Sequence, residues 1–313
     1  AEPPTRIAGP TYLGDLPTLI AERQDLFQAQ GIEARVEYSP SGRMNLDKLR
    51  QGEVDFALMA LTPLVIDWLS DTTPGQGDDP VILASLVHST RLNQVVTLAG
   101  RDIESARDLT GHRVALEKGT NAEFVWWLFA HYHGLSPTAV TLQDRPIRQV
   151  PRALLAQEAD AAIIWEPWTT HLREQLDDRL QIFPHSNVYT AKWVVVTHRR
   201  TAAQDARHSS RVLAAYRTAI DYIDRHPDQA LSLYADHVDL PPPRLPDWEQ
   251  TLNFQLGLDW SLISTLQQQF DWARQAGYAG VAPLPDILSL IDAGPLGLVA
   301  PMLVDIPVDA VNE

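Results

Sequence analysis

The chain has 313 residues, enough for about two domains, and its 45% hydrophobic content supports folded cores rather than disorder. Its formal net charge of −15, from 40 acidic against 25 basic residues, argues against a nucleic-acid partner, whose phosphate backbone calls for a basic stripe. The absence of cysteine excludes disulfides, thiolate metal sites and cysteine nucleophiles, and no apolar run approaches the ~20 residues that span a bilayer.

The start, Ala1-Glu2-Pro3-Pro4, has neither an initiator Met nor an apolar leader, as expected of a mature chain after signal-peptide removal or of a trimmed one. Arg6 to Gly9 reads as a first strand, followed by the loop Pro10 to Asp15. Leu16 to Gln30 reads as one helix, with Pro17 tolerated in its first turn and Gly31 as its stop. Ile32 to Tyr38 alternates like a strand. The polar loop Ser39-Pro40-Ser41-Gly42-Arg43 leads into a helix from Met44 to Gln51. Val54 to Met59 is a strand, Thr62-Pro63 opens a helix, and Val81 to Val87 is a further strand after a surface connector at Asp71 to Pro80.

The texture restarts after a strand at Gln94 to Leu98. Ser105 to Leu109 is a turn or short helix, and Gly111 to Leu116 a strand. The loop Glu117 to Asn121 precedes a helix from Ala122 to Tyr132, closed by Gly134. Val140 to Gln143 is a strand, Ile147 to Gln157 a helix, Ala161 to Trp165 a strand, and Trp193 to Thr197 a returning strand. From Ser209 the chain reads as mostly helical, with a break at Pro241-Pro242-Pro243 and an extended apolar tail from Leu296 to Asp305.

One pattern occurs twice. Leu49 to Leu58 and Leu155 to Ile164 both read as a helix end, a turn, an Asp and a short apolar strand. Two such half-units predict two similar α/β lobes with parallel sheets flanked by helices, and a cleft between them. Crossings near Thr97–Arg101 and Val196–Arg200 make residues 1–98 plus 199–313 the first lobe and 99–198 the second.

In open α/β sheets a ligand sits beyond the carboxyl ends of the strands. Four loops occupy that position: Tyr12, Leu13 and Asp15; Ser39, Ser41 and Gly42; Lys118 to Asn121; and Trp165-Glu166-Pro167-Trp168. Thr120 or Asn121 caps the helix that follows, where free N–H groups suit an anion. Trp165 ends a buried strand and is placed to stack on a flat ligand, and Glu166 either accepts from an amine or pairs with Arg152 or Arg173. Trp126 and Trp127 read as core. The ten His residues show no metal-ligand spacing, and no Gly-x-Ser-x-Gly elbow is present.

The segments Leu16 to Ala21 with Leu26-Phe27 and Gly31-Ile32, Gly52-Glu53-Val54-Asp55, Asp108 to Ala115 and Ile164 to Trp168, in this order, resemble the periplasmic solute-binding proteins of ABC importers. The closest group looks like the alkanesulfonate, taurine, nitrate and thiamine-precursor binders, and the resemblance covers roughly residues 6–235. It implies the two-lobed type II fold, no catalysis, no cofactor and no metal. It implies a periplasmic, monomeric protein that takes a small-molecule ligand and hands it to importer membrane subunits. The same fold serves membrane-tethered receptors, so a sensing domain coupled to its own signalling module is the alternative. Carried over loop by loop, the ligand contacts implied are Tyr12, Leu13, Ser41, Gly42, Met59, Thr62, Ser89, Arg91, Thr120, Asn121, Trp165 and Glu166. Tyr189 is added from its place near the second crossing, where Trp193 also comes within reach of the cleft.

Overall fold

The computed structural model describes residues 3–70, 76–184, 189–242, 252–278 and 283–307. Residues 71–75 of the expected connector and Pro243 of the expected break fall outside them. Its strands are β1 Thr5–Pro10, β2 Ala34–Ser39, β3 Phe56–Ala60, β4 Pro80–Ser89, β5 Asn93–Leu98, β6 Arg113–Leu116, β7 Thr141–Asp144, β8 Ala161–Trp165, β9 Leu180–Ile182, β10 Ala191–His198 and β11 Asn253–Gly257. They form a six-stranded sheet ordered β11-β4-β10-β3-β1-β2 and a five-stranded sheet ordered β7-β6-β8-β5-β9. β1, β2 and β3 are parallel, as are β6, β7 and β8. Antiparallel strands complete these parallel sets, so both sheets are mixed: β10 runs antiparallel to β3 and β4, and β5 antiparallel to β8.

β5 belongs to the second sheet and β10 to the first, so the chain passes between the sheets at residues 90–92 and between Ile182 and Ala191, ahead of the crossings expected near Thr97–Arg101 and Val196–Arg200. The break between β4 and β5 carries no Gly or Pro, which is why the sequence hides it.

The repeat has a physical cause. Asp55 accepts the backbone N–H of Arg6 at 2.8 Å and its guanidinium at 2.8 Å. Asp160 does the same to Arg113, at 2.9 and 3.0 Å. Each Asp carbonyl accepts a threonine hydroxyl from its antiparallel strand, Thr197 and Thr97, both at 2.7 Å. Three residues before each Asp the backbone turns left-handed, at Gly52 (φ 71°) and Gln157 (φ 59°). Each lobe therefore uses one carboxylate to bind its first parallel strand to its central one.

The helices that position the site are α1 Leu16–Arg23, α2 Leu26–Ala29, α3 Gly42–Arg50, α4 Leu61–Ser70, α5 Asn121–Tyr132, α6 Val150–Leu155, α7 Trp168–Leu176, α8 Arg199–Gln204, α9 Ala206–Arg225, α10 Pro227–Val238 and α11 Trp260–Gln275. The single helix expected over Leu16 to Gln30 is two, because Asp25 takes a left-handed conformation (φ 54°). The tail expected to be extended forms a short helix at Gly294–Val299 and a 3-10 turn at Pro301–Leu303. Trp126 is core, as its helical spacing suggested, with its indole N–H donated to the Pro137 carbonyl.

Candidate functional site

The carboxyl ends of β1, β2, β3, β6 and β8 meet between the lobes, and a narrow pocket lies there. Its cavity measures only about 20 Å³, within about 350 Å³ of space between atoms that counts its open mouth. Tyr12 from the β1–α1 loop, Trp165 from the end of β8 and Trp193 from β10 wall it. The Tyr12 ring lies 4.5 Å from that of Trp193 and meets Trp165 edge-on at 6.5 Å. All three are buried, at 4%, 6% and 6% exposure. Gly42 lets α3 start hard against this wall: a Cβ there would lie 2.7 Å from Met59 and 3.3 Å from Trp193.

Polar groups from both lobes complete the lining: Ser41 and Arg43 from the first, Asn93, Thr120 and Asn121 from the second. Ser41 caps α3 and Thr120 caps α5, so two helix N-termini with their positive dipole ends converge here. Much of the donor capacity is already used. The Thr120 hydroxyl donates to the Glu117 carbonyl at 2.6 Å, Gly119 N–H to Glu123 at 2.9 Å and Lys118 N–H to Asp144 at 3.0 Å. The Tyr12 hydroxyl is buried with no hydrogen-bond partner among the described residues. The guanidinium of Arg43 lies at the rim and donates to the Lys118 carbonyl at 2.8 Å.

Three buried carboxyls surround the pocket. Glu117 accepts from Ile147 N–H at 2.8 Å and, across the lobes, from Ser41 at 3.4 Å, and burial raises its pKa. Asp15 lies beneath the Tyr12 loop, accepts from Thr18 at 2.8 Å, and is pushed by burial well above the usual carboxylate range. Glu166 is also raised by burial. Its carboxyl accepts the Thr170 hydroxyl at 2.8 Å and the Thr170 N–H at 3.1 Å. Instead of offering itself to an amine or bridging to Arg152 or Arg173, Glu166 thus ties down the first turn of α7.

Of the residues carried over by resemblance, Tyr12, Ser41, Gly42, Thr120, Asn121 and Trp165 line one pocket. The others lie elsewhere. Leu13 is fully buried and donates its N–H to the Glu166 carbonyl at 3.3 Å. Met59 backs Gly42. Thr62 donates to Gln269 at 2.7 Å, and Tyr189 accepts from the same Gln269 at 2.9 Å. Ser89 and Arg91 make the turn between β4 and β5. Sequence reasoning missed Arg43, Ala60, Pro63 and Asn93 as lining residues. Of the two aromatics near the second crossing, Trp193 lines the pocket and Tyr189 does not.

The lobes touch directly. Besides Leu13 to Glu166 and Ser41 to Glu117, the Tyr278 hydroxyl donates to Glu123 at 2.7 Å, and Phe124 of α5 packs on Trp272 of α11 at 5.3 Å. Two lobes with a pocket lined from both sides have the two-lobed type II periplasmic-binding fold. The chain belongs to the NMT1/THI5-like family, which it matches over residues 15–230. The alkanesulfonate-binding protein SsuA from Xanthomonas axonopodis pv. citri, solved bound to MOPS, superposes with a TM-score of 0.74 at 18% identity, covering 93% of this chain and 99% of that one. The periplasmic nitrate-binding protein NrtA from Synechocystis PCC 6803 does so with a TM-score of 0.75 at 14% identity, covering 99% and 91%. In sequence, a protein of Brucella abortus (strain 2308), described as a binding protein, is 22% identical over 228 residues, 72% of this chain and 68% of the relative. These relatives are named for binding, not for catalysis. No helix among the described residues is long and apolar enough to cross a membrane, and no cluster of metal-ligating side chains occurs among them.

Proposed function

We propose that this protein captures a small, flat organic solute outside the cytoplasm and delivers it to the membrane subunits of an ABC importer. The observation that carries this reading is the aromatic wall of Tyr12, Trp165 and Trp193, drawn from both lobes, facing a few amide and hydroxyl groups. Such a wall favours an aromatic or heteroaromatic body. The amides of Asn93 and Asn121 supply both donors and acceptors for its polar edge. A bare inorganic anion is disfavoured because the N–H groups of Lys118 and Gly119 are already taken by carboxylates and Arg43, the cation among the described lining residues, stands at the rim.

A second reading, an organosulfonate with its charged end at the rim, is favoured by Arg43 and by the convergent N-termini of α3 and α5. Native mass spectrometry of the protein purified from its own cells tests both. The first reading expects a co-purifying neutral or aromatic-amine mass, and the second a sulfonate. Protein that stays bare, and gains no mass from a pyrimidine, aromatic-amine and sulfonate panel, contradicts the capture role.

A further inference from the structure

Away from the pocket, both lobe crossings are rooted in one polar cluster. Lys192, at the second residue of β10, is 2% exposed. Its ammonium donates to His88 Nδ1 at 2.9 Å and to the Ser261 hydroxyl at 2.7 Å. Ser261 in turn donates to Asp259, which caps α11, at 2.5 Å. His88 is the second-last residue of β4, just ahead of the crossing at residues 90–92, and Lys192 follows the other crossing directly. The cluster therefore joins the roots of both crossings to α11, the helix that packs against the second lobe through Trp272 and Phe124.

The backbone gives this corner limited support. The β10–β4 register shifts between Trp193 and Val194, so beyond that irregularity only three pairs hold the end of the ladder: Ala191 with Ser89, Lys192 with His88 and Trp193 with Val87. Alternation along a strand puts Lys192 and Trp193 on opposite faces. One faces the cluster and the other walls the pocket.

We propose that His88 and Lys192 form an acid-sensitive clasp at the hinge, which holds the lobes closed only while His88 is neutral. A histidine that accepts from an ammonium must keep that nitrogen unprotonated. Protonation would set two cations at hydrogen-bond distance. Among the described residues, the charged groups facing His88 are Lys192 from β10 and Asp259 from the N-terminus of α11, while β11 places the uncharged Asn253 opposite it. Burial and Lys192 both lower the His88 pKa, and Asp259 opposes them. The neutral form thus persists at neutral pH, and the clasp releases as pH falls below the ordinary histidine range. Loss of the clasp frees the root of β10 and with it the indole of Trp193.

The lack of native cysteine makes a distance measurement clean. Spin labels on Arg35→Cys in the first lobe and Arg107→Cys in the second, both exposed, report opening by pulsed electron resonance at pH 8 and pH 5 without any ligand. The expected result is at least a threefold rise in the long-distance population at pH 5. That response should disappear in His88→Gln and, independently, in Lys192→Met, so a failure of one variant to fold leaves the other to decide. A pH response that survives in the folded variants, or none in the parent, overturns the proposal. So does a His88 imidazole that titrates by NMR at or above the ordinary histidine value.

Discussion

The two Asp clasps share a pattern but not a burial, and that difference sets a quantitative expectation. The Asp160 side chain is 8% exposed and is held by Arg113 at 3.0 Å and Arg101 at 2.5 Å, besides the Arg113 N–H. The Asp55 side chain is 35% exposed and is held by Arg6 alone, itself 40% exposed. Removing a buried carboxylate from such a network costs about 3–5 kcal/mol. The arginines here keep some solvent, so Asp160→Ala should fall near the lower end, about 3 kcal/mol. The Asp55 pair is screened by water, and Asp55→Ala should cost about 1 kcal/mol. Urea unfolding followed by tryptophan fluorescence gives the totals, and native-state hydrogen exchange assigns each loss to its lobe. The pH dependence has a definite sign. Arg113 holds the Asp160 carboxyl well below its ordinary value of 3.8, so its stabilisation is present above that value and fades as pH falls beneath it. Equal costs for the two variants, or a larger one for Asp55, would refute this reading of the repeat.

Other predictions concern the pocket. Gly42→Ala drives a methyl into Met59 and Trp193, and should destabilise by about 1–3 kcal/mol as overpacking does while abolishing ligand capture. Calorimetric titration alongside a melting curve checks both. Glu166→Gln keeps an acceptor for Thr170 but removes a carboxyl whose pKa is raised by burial. Above the unfolded value of 4.5 the folded state holds its proton more tightly, so the native group loses stability as pH rises through that window. The variant should therefore melt higher than the parent at pH 7 and equal it near pH 4. Trp165→Ala should cost less than the ~3–5 kcal/mol of a core tryptophan, because one side of the ring faces the pocket. A loss within the full core range, by denaturant unfolding, would place the ring in the core instead.

Much of the architecture is legible in the sequence because its signals are local. The pattern around Asp55 and Asp160 foretells paired half-units, and Gly31, Gly119 and Gly134 mark turns with positive φ. Partner choice is not local. Nothing in the run of β10 says that it inserts antiparallel between β3 and β4, so the sequence places the crossings about eight and twelve residues downstream of where they fall. Asp25 breaks the first helix by adopting a conformation that Asp tolerates but does not advertise. At the site, the loops after parallel strands point to Tyr12, Ser41, Thr120 and Trp165. Asn93 and Trp193 come from the crossing strands, whose placement depends on the tertiary pairing. Glu166 looks like a ligand group in one dimension, and only the turn of α7 brings Thr170 onto its carboxyl.

The most direct test of the central claim is ligand-induced stabilisation, measured by thermal unfolding of the parent and of Trp165→Ala against pyrimidines, aromatic amines, organosulfonates and nitrate. A ligand at a hundred times its dissociation constant stabilises by about 2.7 kcal/mol, a shift of several degrees. The account predicts such a shift for a flat organic compound in the parent and its loss in Trp165→Ala. A shift produced by nitrate alone, or one that survives the loss of Trp165, would contradict it.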